Sequence, residues 1–103
     1  MPKGVGMSSS EALLLGIDFS PQMKDGESIV GSNARGTTGI IIKDSDGEDV
    51  TAEMHVSGSF SIQGNIVQGQ IYNCQSRASY TMYFRAAISM GNFLEQYITI
   101  DCT

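Results

Sequence analysis

The chain has 103 residues, a net charge of −5, 41% apolar side chains, 12 glycines, two cysteines and no tryptophan. That length suits one domain with a hydrophobic core of its own, and the six scattered basic residues form no cationic stripe of the kind that neutralises a nucleic-acid backbone. No stretch is long and apolar enough to span a bilayer, and Ala12–Leu15 is too short for a secretory h-region, so the protein is expected in a cytoplasm or in a particle assembled there.

Residues 1–11 are small, polar and glycine-containing, the composition of a flexible N-terminal arm, and the folded unit is expected over 12–103. Ser8 and Glu11 have capping-box spacing, but Gly16 would end a helix there after about one turn, too short to stand alone. Leu13, Leu15, Ile17 and Phe19 alternate instead, which predicts a strand over 12–19 that Pro21 stops. Asp25-Gly26 is a turn signal, and Glu27–Val30 begins another strand. Gly31, Gly36 and Gly39 interrupt the next stretch, which reads as a bulge or a flexible loop. Ile40–Lys43 is a strand end, Asp44–Gly47 a polar turn, and Val50–Val56 leads out of it. Ser57-Gly58-Ser59 turns again. Phe60, Ile62 and Gly64-Asn65 then precede a strand, Ile66–Cys74, on which Val67, Gly69 and Ile71 share a face.

The C-terminal third is the most regular part. Tyr80, Met82, Phe84, Ala86 and Ile88 fall on one face of a strand, with Thr81, Tyr83, Arg85 and Ala87 on the other. The return strand sets Leu94, Ile98, Ile100 and Cys102 against Glu95, Tyr97, Thr99 and Asp101. A three-residue loop, Ser89-Met90-Gly91, keeps both apolar sets on one side of the sheet. It pairs Met82 with Ile98 and Tyr80 with Ile100. About seven short strands at these intervals predict an all-β antiparallel sandwich. In the same register Cys102 lies opposite Ala78, close to Cys74. A disulfide is conceivable there, but with no secretory leader reduced thiols are expected.

The side chains point away from catalysis. The one histidine, His55, sits on a predicted strand with nothing that would pair it with Cys74, Cys102 or an activated serine. One histidine and two distant cysteines make a poor zinc set. Asp44-x-Asp46-Gly47, followed by Glu48, Asp49 and Glu53, lacks calcium-loop spacing and reads as an exposed acidic turn. Gly31–Thr38 is one residue short of a phosphate-binding loop, with Thr37 where the lysine must be. The expectation is therefore no enzyme, no catalytic or metal residues and no cofactor. Tyr83, Arg85 and Tyr97, in a row on the outer face, are the candidate partner-binding residues, since Tyr and Arg are favoured at interface centres.

Leu15-Gly-Ile-Asp-Phe-Ser-Pro21, Asp25-Gly-Glu-Ser-Ile29 and Asp44-Ser-Asp-Gly-Glu-Asp-Val-Thr51 occur in that order. They are followed by the Tyr80 strand, the Ser-Met-Gly91 turn and Leu94-Glu95-x-x-Ile98-x-Ile100. Over roughly residues 13–103 this pattern resembles the small immunoglobulin-like structural proteins of tailed bacteriophages, the fibre–tail adaptor family. The resemblance implies an immunoglobulin-like β-sandwich in the virion, assembled in the host cytoplasm. It would link the tail or neck (portal, nozzle or connector) to fibre or spike proteins, in multiple copies in a ring. A capsid-surface decoration protein and a generic immunoglobulin-like binding module are the alternatives, because fold alone does not separate them. The acidic balance suits assembly beside DNA without adhering to it.

Overall fold

Period-two alternation dominates the second half of the chain, and the two longest strands follow from it. The computed structural model describes residues 3–30, 32–33, 36–56, 58–89 and 93–103. Its strands are β1 (Lys3–Met7), β2 (Leu13–Asp18), β3 (Ile29–Val30), β4 (Ser32–Asn33), β5 (Gly36–Thr37), β6 (Gly39–Asp44), β7 (Ser61–Gln63), β8 (Ile66–Ile71), β9 (Ser79–Ile88) and β10 (Phe93–Cys102). A 3-10 turn at Ser20–Gln22, entered through Pro21, ends the β2 segment. A single helical turn, α1 (Thr51–Met54), follows β6. The register of β9 and β10 is the expected one, with Met82 opposite Ile98 and Tyr80 opposite Ile100. The loop that sets it includes Met90 and Gly91, which lie outside the described residues.

Two sheets pack face to face. One runs β1-β10-β9, with β6 and β3 both paired to the far side of β9; the other runs β2-β8-β7. Leaving aside the two-residue strands β3, β4 and β5, seven strands build the sandwich. Their order matches the B-E-D and C-F-G sheets of an immunoglobulin-like arrangement. A second feature agrees with it. Tyr80, at the start of β9, accepts a 3.0 Å hydrogen bond on its hydroxyl from the Gln75 backbone N–H, tying the last strand-to-strand crossover onto the core in the manner of a tyrosine corner. Between the sheets Phe19, Ile42, Met54, Val67, Ile71, Met82, Phe84, Ile88 and Ile100 are fully buried.

The chain departs from expectation in four places. The first half of the expected arm is strand β1, which pairs parallel with β10 from Lys3↔Ile98 to Met7↔Cys102. The open edge of β10 supplies its hydrogen bonds, and the Met7 side chain, 2% exposed, closes that end of the core. β1 is therefore the parallel exception in a sheet that is otherwise antiparallel. Beyond it, Ser8 and Glu11 use their capping-box spacing without a helix: the Glu11 carboxylate accepts the Ser8 N–H at 2.8 Å, and the Glu11 N–H returns to the Ser8 carbonyl at 3.0 Å.

The glycine-rich stretch is an excursion from a single strand path. Val30 pairs with Ala87 and Gly39 with Arg85, so β3 and β6 continue one another along β9 while β4 and β5 loop out between them. Buried Thr38 closes the gap. Its hydroxyl donates to the Val30 carbonyl at 2.6 Å and accepts the Ala87 N–H at 3.0 Å. Residues 31, 34 and 35 of this stretch, and Ser57 of the later turn, lie outside the described residues.

The segment 50–56 holds α1 and then an isolated bridge, His55↔Ile71. The helical turn carries the chain from one sheet to the other. The Val50 N–H donates to the Ile42 carbonyl of the first sheet, and the Val56 N–H to the Gln70 carbonyl of the second, each at 2.8 Å.

The two cysteines are joined, contrary to the reduced thiols expected. Asn73 and Arg77 adopt left-handed backbone angles (φ 60° and 69°), which fold the crossover back on itself. The Arg77 N–H then reaches the Cys102 carbonyl, and the Cys74 and Cys102 Cα atoms come to 5.9 Å, inside the span a disulfide requires. The compartment rule behind the expectation is silent on this geometry; sequence register had placed the pair at one end of the domain but no closer.

Candidate functional site

On β6, β9 and β10 the odd-numbered residues face away from the core, because both pairings are in even register. Three cross-strand rows result. Gly39, Arg85 and Glu95 form one, Ile41, Tyr83 and Tyr97 the next, and Lys43, Thr81 and Thr99 the third. Phe93, opposite Ala87, extends the face beyond Arg85. The structure thus brings Tyr83, Arg85 and Tyr97 together as neighbours on one outer surface.

Their side chains are held by each other. The Tyr83 and Tyr97 rings lie 5.9 Å apart at 44°, a tilted cross-strand aromatic pair. The Arg85 guanidinium sits 4.1 Å from the Phe93 ring centroid, and Lys43 Nζ lies 5.9 Å from that of Tyr83. Both cations are therefore placed over aromatic faces. Gly39 leaves open space where a side chain would stand. A groove of about 210 Å³ results, lined by Gly39, Ile40, Ile41, Tyr83, Arg85 and Glu95.

Among the described residues, six large apolar side chains are at least 36% exposed: Leu14, Ile41, Ile66, Tyr72, Phe93 and Tyr97. Three of them, Ile41, Phe93 and Tyr97, lie on this one face, whereas the outer face of β2-β8-β7 scatters Leu14 and Ile66 among Gln63, Gln68 and Gln70. Sequence reasoning found the Tyr83–Arg85–Tyr97 part and missed Ile41, Lys43 and Phe93. Parity gave a usable signal for Phe93, which shares it with Glu95 and Tyr97. Ile41 was hidden because an unbroken Ile-Ile-Ile run shows no alternation.

Elsewhere the polar side chains serve the backbone. Asp44 Oδ1 accepts the N–H groups of Asp46 and Glu48, each at 2.9 Å, so the acidic turn spends that oxygen on its own fold. Asp49 accepts from the Thr51 hydroxyl at 2.6 Å and from the Thr51 N–H at 3.0 Å, and these bonds hold its carboxyl below the ordinary value of 3.8. Ser20 does the same for Asp18. His55 is turned inward, with Nε2 buried and without a hydrogen-bond partner among the described residues. No group of three or more His, Cys, Asp or Glu side chains is gathered to hold a metal ion among the described residues. No helix among them is long and apolar enough to cross a membrane. The arrangement offers a shallowly grooved, aromatic and partly charged surface suited to another macromolecule. A scan against protein-family models and a search of curated proteins both returned no match.

Proposed function

We propose that this chain is a non-enzymatic structural component of a tailed-phage virion, an adaptor that links the tail or neck to fibres or spikes through protein–protein contacts. The observation that carries the contact-making part is the clustering of Ile41, Tyr83, Phe93 and Tyr97 with Arg85 on the outer face of β6, β9 and β10. Aromatic residues and arginine are the types that dominate interface centres. The virion part rests on the resemblance of residues 13–103 to the adaptor family. Multiple copies in a ring would turn weak single contacts into firm attachment through effective concentration.

Antibody–gold labelling of intact virions, with serum raised against the chain, tests the reading. Gold at the neck or tail is expected. Gold over the head would replace the adaptor with a capsid-decoration protein. Absence of the chain from purified virions by mass spectrometry would sink both and leave a generic immunoglobulin-like binding module.

A further inference from the structure

The face around Tyr83 carries charges of both signs in fixed positions. Lys43 lies one strand to one side of Tyr83 and two residues toward one end of the sheet; Glu95 lies one strand to the other side and two residues toward the other end. They stand at opposite corners of an aromatic centre. Lys43 leans over the Tyr83 ring and feels the Asp49 carboxylate across an isolated bridge on the other edge of β6, while Arg85, directly opposite Glu95, is stacked on Phe93. Both corners line the recess beside Ile41 and Tyr83. A surface with an apolar middle and opposite charges at opposite corners is complementary to itself.

We propose that a second copy of this chain covers the face, in an isologous pair. The two-fold axis lies in the interface, passes over Tyr83 and runs perpendicular to the line from Lys43 to Glu95. Rotation about that axis exchanges the two corners. Each Lys43 then meets the partner's Glu95, twice over, as a two-fold contact requires. Tyr83 faces its own counterpart, and the two sheets cross steeply, one of the two ways sheets pack face to face. Three strands ~4.8 Å apart span ~10 Å, and four rows ~6.8 Å apart span ~20 Å along the strands. That is smaller than a standard specific interface, so association is weak and concentration-dependent rather than permanent. The proposal rests on reading this face as a docking surface and names its first occupant.

The test is sedimentation velocity of the purified full chain over a wide concentration range, with three variants on the face and one control. The wild type should pass from monomer to dimer as concentration rises. Lys43→Glu alone and Glu95→Lys alone each set like charges opposite each other, and each should weaken the dimer roughly tenfold or more. The double variant K43E/E95K restores opposite charges and should recover the wild-type constant within about threefold. Leu14→Asp, on the opposite sheet, should leave association unchanged, and circular dichroism should show every variant folded. A chain that stays monomeric overturns the proposal. So does a dimer indifferent to both single reversals, a double variant no better than the singles, or a dimer lost in L14D. A monomeric chain that is nonetheless found in virions would remove the pair and leave the adaptor; a dimer absent from virions would do the reverse.

Discussion

Gly69 shows how tightly single residues set the packing between α1 and the second sheet. A Cβ there would stand 2.6 Å from Ile40 Cδ1 and 2.7 Å from His55 Nε2. Backbone and imidazole touch directly at that point, and only glycine permits it. Gly69→Ala should cost about 1–3 kcal/mol by overpacking. In a His55→Ala background, where the ring is gone, the same change should cost measurably less. Urea denaturation of the four proteins of this cycle gives the answer, and equal penalties in both backgrounds would contradict the contact. Asp49 supplies a pH-dependent counterpart. Its carboxyl is held below 3.8 in the folded state, first by the Thr51 hydroxyl and then by the Thr51 N–H. A depressed carboxyl adds stability that is present above the unfolded value and lost as pH falls through the folded one. Wild type should therefore melt higher than Asp49→Asn at neutral pH, and the gap should close as pH drops below 3.8. A gap constant with pH would mean that Asp49 acts through something other than its charge.

At the scale of elements, the split strand formed by β3 and β6 depends on one hydroxyl. Thr38→Val keeps the shape of the side chain but removes both bonds and leaves the Ala87 N–H buried without an acceptor. That should destabilise the chain by about 1–3 kcal/mol, with Thr38→Ser restoring most of it. Calorimetric melts check this, and a neutral valine would show that the excursion holds itself. The same element marks where sequence reading stops. Alternation from Tyr80 to Ile88 and from Leu94 to Cys102 is long enough to fix face and register, and both are as expected. Val67, Gly69 and Ile71 likewise share the buried face of β8. By contrast, strands of two residues carry no period at all: β3 falls within the strand expected from Glu27–Val30, while β4 and β5 left only the neighbouring glycines to read. β1 alternates Gly4 and Gly6 with Val5 and Met7, too little apolar surface to announce a strand before its partner β10 is known. α1 is a single turn, shorter than any helical pattern.

At the scale of the whole molecule, the Cys74–Cys102 bridge ties the crossover before β9 to the end of β10, and the β6-β9-β10 sheet carries the proposed contact face. The bridge closes a loop between residues 28 apart. On chain-entropy grounds that contributes ~3–4 kcal/mol. Cys74→Ser with Cys102→Ser, or reduction of the wild type, should lower the melting temperature by on the order of 15–25 °C. An unchanged melt would place the bridge outside the stabilising contacts. Register made it conceivable by setting Cys102 opposite Ala78, but its closure depends on left-handed turns at Asn73 and Arg77 that neither residue type demands. The outer face was half legible: alternation exposed Tyr83, Arg85 and Tyr97 and carried a signal for Phe93, while Ile41 and Lys43 come from β6, whose pairing to β9 no local pattern announced.

Hydroxyl-radical footprinting shows whether the protein makes its contacts through the β6-β9-β10 face. Oxidation of the free chain at low concentration is compared with oxidation of the same chain in its native assembly. Tyr83, Phe93 and Tyr97 should be strongly protected in the assembly, with Leu14 and Tyr72 oxidised alike in both states. Protection of Leu14 and Ile66 with Tyr97 and Phe93 still reactive would put the contact surface on the other sheet and rule out this face.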